Sequence, residues 1–418
     1  MSPYKPYPTY KDSGVEWLGR VPEHWSVRKV KWEATARSGT DNKSETGSFP
    51  LYGANGVIGL TDTPSLNAAC VLIGRVGSAG SVTFVREKCG VSDNALLYFN
   101  NTYDAPRFDY YLLQSMNLEA DVSKNAQPLI TASDIRDRTI CVPRDLLERR
   151  SIASSLDRET TRLDALIEKK TRFIELLREK RQALITHAVT KGLDPNVRMK
   201  VSGVEWLGAV PEHWDVAPMK YVCELLKDGT HLPPPRTDEG VPLLSVRNII
   251  DGHFTLRDDD STISHQGYME LCKAFIPKEG DVLLAVVGAT LGKTALIPAA
   301  LGPFHIQRSL AIFRPHHGRM NSCWLHLIFQ SSLFQSLLWE HAGYSAQPGI
   351  YLGTLAGFSI PQPPLNEQAQ IFSYLSERTA RLDSLIRTTE RSIELLKERR
   401  SALITAAVTG QIDLREAV

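Results

Sequence analysis

Apolar residues follow a helical period in two long stretches of the chain. They recur at spacings of three, four and seven residues over 162–190, and the same stripe returns over 381–409. This spacing places them on one face of an α-helix, while Glu, Lys and Arg cover the other faces. Leu166 and Leu385 fall on this stripe. The residues that we expect at a helix–helix contact are Leu163, Ile167, Ile174, Leu177, Leu184, Leu382, Ile386, Ile393, Leu396 and Leu403.

Proline and glycine mark the ends of both predicted helices. Pro143 and Pro361 lie upstream, and Gly192 and Gly410 follow the last apolar positions, where helix C-caps are expected. Each helix is about forty residues long, or ~60 Å. A stripe this narrow predicts that the two copies pair as a coiled coil, antiparallel if a pseudo-twofold relates them. The alternative, in which each helix lies on its own domain, stays open.

Short strands fill the regions between these helices. Residues 69–85 predict a strand, a glycine turn and a second strand, and residues 280–297 repeat this order. Gly77 and Gly80 in the first hairpin match Gly288 and Gly292 in the second. Each hairpin is followed by a further apolar run and a helical stretch. The pattern predicts mixed α and β structure, which we class as α+β.

The chain is a tandem repeat. Residues 13–25 and 202–214 are identical except for Arg20 and Ala209, and lie 189 residues apart. The helical stretches lie 219 residues apart, so the middle of the second copy is about thirty residues longer. The predicted organisation is a first domain (1–141), a long helix (142–191), a linker (192–201), a second domain (202–359) and a second long helix (360–418).

Composition narrows the class of protein. Apolar residues make up 42% and charged residues 23%, which suits globular domains. No apolar run approaches the ~20 residues of a membrane span, and the N-terminal residues do not resemble a secretory signal. The six cysteines form no CxxC pair, so we expect reduced thiols in the cytoplasm. A net charge of +1 argues against indiscriminate coating of nucleic acid and leaves a specific DNA binder possible.

Three features suggest chemistry, and none predicts an active site. The run 288–294 (GATLGKT) is one residue short of a phosphate loop, and the following residues do not read as the required helix. A DNA-facing hairpin and a plain surface turn both remain open for it. Asp258, Asp259 and Asp260 are consecutive, so we expect a solvated loop. His316 and His317 lack further ligands at metal spacing, which favours a surface turn.

The order of motifs resembles the specificity subunits of type I restriction–modification systems. EWLG..PEHW, a variable segment and a helix ending in IELLREKRQALI are followed by a second EWLG..PEHW, a second variable segment and IELLKERRSALI. This layout covers essentially the whole chain. One departure is LLERRSI, where that family has PL.EQ..I, as in PLNEQAQI of the second copy. Because Arg149 and Arg150 replace a polar turn, we do not carry the contacts made there over to the first copy.

The resemblance implies a fold, a function and partners. The fold would be two pseudo-symmetric target-recognition domains joined by two long helices that form an antiparallel coiled coil. Each domain would read one half of a bipartite site in double-stranded DNA, and the helices would set the spacer. Two methyltransferase (modification) subunits would dock on the chain, and restriction subunits would join through them. The chain itself would be non-catalytic, with S-adenosylmethionine, ATP and Mg²⁺ confined to the partner subunits.

Base readout is expected in the variable segments, because readers of two different half-sites differ where they touch bases. Arginine suits guanine, and Asn or Gln suits adenine. Trp17, Trp25, Trp206 and Trp214 lie in the repeated parts, so we assign them to packing. The residues predicted to bind DNA are Asn55, Arg75, Ser78, Asn94, Lys124, Gln127, His231, Arg247, Asn248, Thr290, Lys293, Gln307, Arg308 and Gln347.

Two other functions remain open from the sequence. The chain would be a coiled-coil scaffold without DNA readout if it brought two proteins together and retained no DNA at any salt concentration. It would be an enzyme of nucleic-acid metabolism if it cleaved or methylated DNA by itself.

Overall fold

The computed structural model describes residues 4–100, 105–121, 129–250, 252–299, 301–343 and 347–415. The chain divides into two compact units. Unit 1 comprises residues 1–171 and 390–418, and unit 2 comprises residues 172–389. Each long helix therefore contributes one part to unit 1 and one part to unit 2. Within the described residues, no helix combines the length and the apolar character that crossing a bilayer requires.

Unit 1 is organised around a four-stranded antiparallel sheet. Its strands are β1 (Tyr10–Asp12), β2 (Arg20–Pro22), β3 (Ser26–Lys29), β4 (Ala34–Ser38), β5 (Phe49–Gly53), β6 (Gly56–Thr61), β7 (Cys70–Gly74), β8 (Val82–Val85), β9 (Gly90–Val91), β10 (Ala95–Asn100) and β11 (Thr139–Val142). Its helices are α1 (Val30–Glu33), α2 (Pro106–Ser115), α3 (Ala132–Arg136) and part of the long helix α4 (Leu146–Lys191). The central sheet has the order β4-β10-β7-β8, and a smaller sheet has the order β6-β5-β9.

Unit 2 repeats this plan. Its strands are β12 (Met199–Val201), β13 (Ala209–Pro211), β14 (Asp215–Pro218), β15 (Cys223–Asp228), β16 (Arg236–Thr237), β17 (Val241–Leu244), β18 (Ile249–Ile250), β19 (His253–Phe254), β20 (Thr262–Ile263), β21 (Val282–Ala285), β22 (Thr294–Leu296), β23 (His305–Ile306), β24 (Leu310–Pro315) and β25 (Ser359–Gln362). Its helices are α5 (Met219–Val222), α6 (His265–Cys272), α7 (Ser322–Gln330), α8 (Ser332–Glu340), α9 (Leu352–Gly357) and part of the long helix α10 (Leu365–Val408).

The two central sheets share one strand order. In unit 2 the order β15-β24-β21-β22 matches β4-β10-β7-β8, and β19 and β18 extend it. The parallel pair β17–β23 matches the pair β5–β9. Both predicted hairpins are present, as β7–β8 and β21–β22. Helix α6 and strands β16 and β18 to β20 lie in the longer middle of the second copy, where the additional residues were expected.

Each core contains residues of both long helices. In unit 1, Leu163 of α4 and Ile404 of α10 are buried in one cluster with Trp25 and with Phe108 of α2. In unit 2, Ile185 of α4 and Ile371 of α10 join Trp214 and Trp324. Burial of these side chains removes apolar surface from water and holds the helices to the sheets.

Within each unit the two long helices run antiparallel. In unit 1, Asp164 pairs with Arg400 at 2.8 Å, while the earlier Ser155 donates a hydrogen bond to the later Leu414 carbonyl. In unit 2, Arg181 pairs with Asp383 at 3.0 Å. The repeat offset of 219 residues relates the two ion pairs to each other. The antiparallel coiled coil is thus confirmed.

The predicted helical stripe is confirmed for all ten contact positions. Five of them, Leu163, Ile174, Leu177, Ile386 and Leu403, are buried, and the other five are half-buried. Leu166 and Leu385 are exposed, so their assignment to the stripe is wrong. They lie at its edge, where the partner helix no longer covers them. Gly192 and Gly410 follow the helices with φ of +74° and +76°, a conformation that suits glycine C-caps.

Candidate nucleic-acid interface

One end of the central sheet in unit 2 gathers most of the predicted DNA-binding residues. Strands β15 and β21 end there, and β24 and β22 begin there. Backbone hydrogen bonds connect the loops: Arg308 N donates to Thr230 O at 3.1 Å, and Val286 N donates to Ser309 O at 3.0 Å. Gly288 N donates to Pro348 O at 2.7 Å. We call this region the rim of unit 2 and define it as residues 229–232, 286–293, 307–309 and 347–351.

Six predicted residues lie on the rim of unit 2. His231, Lys293, Arg308 and Gln347 are exposed, whereas Thr290 and Gln307 are half-buried. The His231 ring contacts Asp228 at 2.7 Å, and Gln307 donates its amide to Leu243 O at 3.1 Å. The side chains of Lys293 and Arg308 therefore present positive charge on a backbone that hydrogen bonds hold in place. Such a surface can contact phosphates and base edges.

Two predicted residues lie outside the rim. Asn248 is fully buried, and its side chain accepts from Ser245 N and donates to Thr255 O and Asp260. The prediction that Asn248 reaches DNA is therefore wrong in this conformation, because its amide already holds the loop together. Arg247 is exposed, but it pairs with Asp259 and Asp260. Asp260 is largely buried in this network, which corrects the expectation of a fully solvated acidic loop.

Unit 1 presents the equivalent end of its own sheet. Arg75 N donates to Asn94 O at 2.8 Å, and Ser81 Oγ donates to Ala54 O at 2.6 Å, which places the Asn55 turn beside the glycine hairpin. Asn55, Ser78 and Asn94 are exposed. We call this region the rim of unit 1 and define it as residues 54–55, 75–81 and 92–94. The Arg75 guanidinium donates to Asp93 O at 3.2 Å, so it is partly engaged.

The two remaining predictions for the first domain, Lys124 and Gln127, lie outside the described residues. The glycine hairpin of unit 2 leads into strand β22 and not into a helix, which excludes a phosphate loop at 288–294. His316 and His317 lie exposed in a turn, as predicted. Among the residues that the structure describes, no group of three or more His, Cys, Asp or Glu side chains is placed to hold a metal ion.

The rim of unit 2 also carries two apolar side chains that sequence reasoning missed. Leu232 is 89% exposed and Tyr351 is 85% exposed. Large apolar side chains this exposed are suited to contact with thymine methyl groups or with unstacked base steps. The sequence signal was weak, because each of them stands alone in a loop without any periodic pattern.

The opening segments are held to the long helices by a repeated contact. In unit 1, Glu148 accepts from Trp25 Nε1 at 3.1 Å and contacts the His24 ring at 3.0 Å. In unit 2, Glu367 accepts from Trp214 Nε1 at 3.1 Å and contacts the His213 ring at 2.7 Å. We call each set a glutamate latch. The PEHW motif is therefore a packing motif, and a glutamate at the helix start receives it.

The glutamate latch corrects two expectations. LLERRSI keeps the essential carboxylate of PLNEQAQI as Glu148, so this contact does carry over between the copies. Arg149 takes the place of Gln368: it pairs with Glu33 and donates to Pro143 O at 2.8 Å, while Gln368 donates to Pro363 O at 2.8 Å. Packing is confirmed for Trp25, Trp206 and Trp214 but is wrong for Trp17, which is 49% exposed.

Comparisons with known proteins agree with the repeated architecture. Residues 211–395 match the family described as type I restriction modification DNA specificity domain. The chain is 22% identical to the EcoBI specificity subunit of Escherichia coli, over 73% of this chain and 65% of that subunit. It is also 22% identical to the MjaVIII specificity subunit of Methanocaldococcus jannaschii, over 73% of this chain and 71% of that one.

Solved structures show the same fold. A chain from a structure on complex assembly and conformational transition of the type I R-M system aligns with a TM-score of 0.70 at 18% identity, over 93% of this chain and 98% of that chain. The HsdS subunit of Thermoanaerobacter tengcongensis aligns with a TM-score of 0.50, also at 18% identity, over 94% and 98% of the two chains. The resemblance drawn from the motif order is thereby confirmed.

Proposed function

We propose that this chain, which has the sequence pattern and the fold of a type I restriction–modification specificity subunit, is the DNA-reading subunit of such a complex. Each unit reads one half of a bipartite site in double-stranded DNA through the rim of its central sheet. The chain carries no catalysis of its own. Methyl transfer and cleavage belong to modification and restriction subunits that supply S-adenosylmethionine, ATP and Mg²⁺.

One observation carries this proposal. The same sheet end recurs in both units with the same backbone hydrogen bonds, yet it presents different side chains. Arg75 N bonds to Asn94 O in unit 1, and the equivalent Val286 N bonds to Ser309 O in unit 2. A scaffold that only joined two proteins would not need different exposed residues on two matched loops. Two readers of two different half-sites do need them.

The long helices are proposed to set the spacer and to dock the modification subunits. They contribute to both units and carry charged side chains on their exposed faces. Since their residues repeat between the copies, a partner that binds them meets similar surfaces twice. This supports a complex with two modification subunits.

Retention of DNA by the assembled complex tests the proposal. The chain with its modification subunit is incubated with random duplexes at a series of salt concentrations, and the bound fraction is sequenced. We expect a split motif to be enriched and log affinity to fall linearly with log salt. Absence of selective retention at every salt concentration favours the scaffold instead.

A segment exchange assigns the half-sites. Residues 31–140 lie between β3 and β11, which pair with each other and close the first domain at its base. Replacing them with the equivalent segment of another family member should change one half of the motif and leave the other half and the spacer unchanged. Methylome sequencing of a strain that carries the complex reads all three together.

A further inference from the structure

The two glutamate latches differ in what covers them. In unit 1, the Tyr7 ring lies 5.7 Å from the Trp25 ring, and the Arg415 guanidinium lies 5.0 Å above Tyr7. Arg415 donates two hydrogen bonds to Asp413, at 2.9 and 2.6 Å, and approaches Glu148 to 3.7 Å. These hydrogen bonds hold the pKa of Asp413 below its usual value. The Glu148 side chain is only 4% exposed.

Unit 2 has the same carboxylates without the covering side chains. By the two repeat offsets, Asn196 stands at the positions of both Tyr7 and Arg415. Asn196 N donates to Asp194 Oδ1 at 2.9 Å, as Arg415 N donates to Asp413 Oδ1 at 3.0 Å, so the turn itself is conserved. No guanidinium comes with it. Asp194 is exposed, and the Glu367 side chain is 24% exposed.

An open cavity of about 380 Å³ lies at this place in unit 2. We call it the Asp194 pocket; it is lined by Leu193, Asp194, His213, Asn366, Glu367 and Gln370, together with Pro364 and Ile371. Among these lining residues are two carboxylates and neither a lysine nor an arginine. The equivalent position in unit 1 shows that a guanidinium fits between such carboxylates.

We propose that the Asp194 pocket receives an arginine side chain of the modification subunit when the complex assembles. This inference rests on the function proposed above. A guanidinium matches carboxylates through its planar set of donors, as Arg415 does with Asp413. Negative charge excludes DNA phosphates from the pocket. Unit 1 supplies its own arginine, so this docking contact is specific to unit 2.

Two variants test the pocket in the full-length chain. Asp194→Asn keeps the acceptor for Asn196 N but removes the charge. Asn196→Arg places a guanidinium where Arg415 stands in unit 1 and fills the pocket from within. Affinity for the purified modification subunit is measured by calorimetry, and each variant is expected to weaken it about ten-fold.

Two controls make the result specific. Glu340→Gln removes an exposed carboxylate on α8, away from the pocket, and should leave the affinity unchanged. Asp413→Asn alters the matched position in unit 1; it should lower the melting temperature, because Arg415 loses its partner, with no loss of affinity.

The proposal is overturned if both pocket variants bind the modification subunit as tightly as the wild type does. It is also overturned if the wild-type chain self-associates in light scattering and Asn196→Arg abolishes that, since a second copy would then be the occupant. Failure of the proposed function is a different result: the wild type itself would neither bind the modification subunit nor select a DNA motif with it.

Discussion

Single side chains on the rims decide what each unit can contact. Arg308 is the sharpest case, because it is exposed and its backbone is bonded to Thr230. An arginine held in this way suits the O6 and N7 atoms of guanine. Arg75, its counterpart in our predictions, is partly engaged with Asp93 O, and we therefore rank it second.

Replacement of Arg308 with alanine should weaken binding of the complex to its target by about 1–3 kcal/mol and relax the preference at one base pair. Competition with duplexes that vary one position at a time measures both effects. Lys273→Ala is the control, since Lys273 lies on α6 and pairs with Glu270. A uniform loss across all sequences, with a shallower salt dependence, would instead assign Arg308 to a phosphate.

A buried carboxyl in unit 1 makes stability depend on pH. Burial raises the pKa of Asp109 to about 7, although Asn100 donates to this carboxyl at 3.0 Å and Arg149 favours its charged form. The folded state therefore holds a proton that the unfolded state releases above its ordinary pKa of 3.8. Stability is fully present below that pKa, falls as the pH rises toward 7 and is constant above it.

Substitution of Asp109 with asparagine removes this dependence. We expect the variant to gain about 1–3 kcal/mol relative to the wild type at pH 8 and much less at pH 5. Melting temperatures at the two pH values measure the difference, with Glu45→Gln as an exposed control in the same unit. An equal gain at both pH values would show that Asp109 does not titrate in this range.

Among the elements, the glutamate latches connect the opening segments to the long helices. Glu148 is almost fully buried and Glu367 is partly exposed, so loss of the carboxylate leaves more buried donors unsatisfied in unit 1. We expect Glu148→Ala to cost about 2–3 kcal/mol and Glu367→Ala about 1 kcal/mol. Thermal unfolding of the two variants checks the order, and a larger loss for Glu367→Ala would contradict it.

The paired helices determine how the chain spans its DNA site. Seven residues add two helical turns and ~10 Å, so one heptad inserted after Thr171 and one after Thr389 keep the apolar stripe in phase. If the helices set the spacer, the methylated motif should gain about three base pairs of spacer with both half-sites unchanged. A modified motif with the original spacer would show that the helices do not measure it.

Much of this architecture could be predicted because it depends on local patterns. The helical stripe, the glycine caps and the strand–turn–strand units each follow from residues close together in the chain. The duplication was visible by comparison of the chain with itself. Leu166 and Leu385 were placed wrongly because spacing alone defines a face but does not define how far the partner helix covers it.

The candidate site was predicted less completely. The variable segments were correctly identified as the source of exposed polar loops, yet the burial of Asn248 and the ion pairs of Arg247 were not foreseen. Leu232 and Tyr351 were missed because isolated residues in loops carry no periodic signal. Trp25 and Glu148 meet across more than a hundred residues of chain.

The sequence by itself determined that the protein is a repeated module with two amphipathic helices and two unlike middles, because periodicity and self-similarity are properties of neighbouring residues. Only the tertiary structure decided which polar residues remain exposed, that one glutamate in each copy holds the opening segment, and that Arg415 covers one latch while the other stays open. These contacts join residues far apart in the chain, and no local pattern specifies which of them meet.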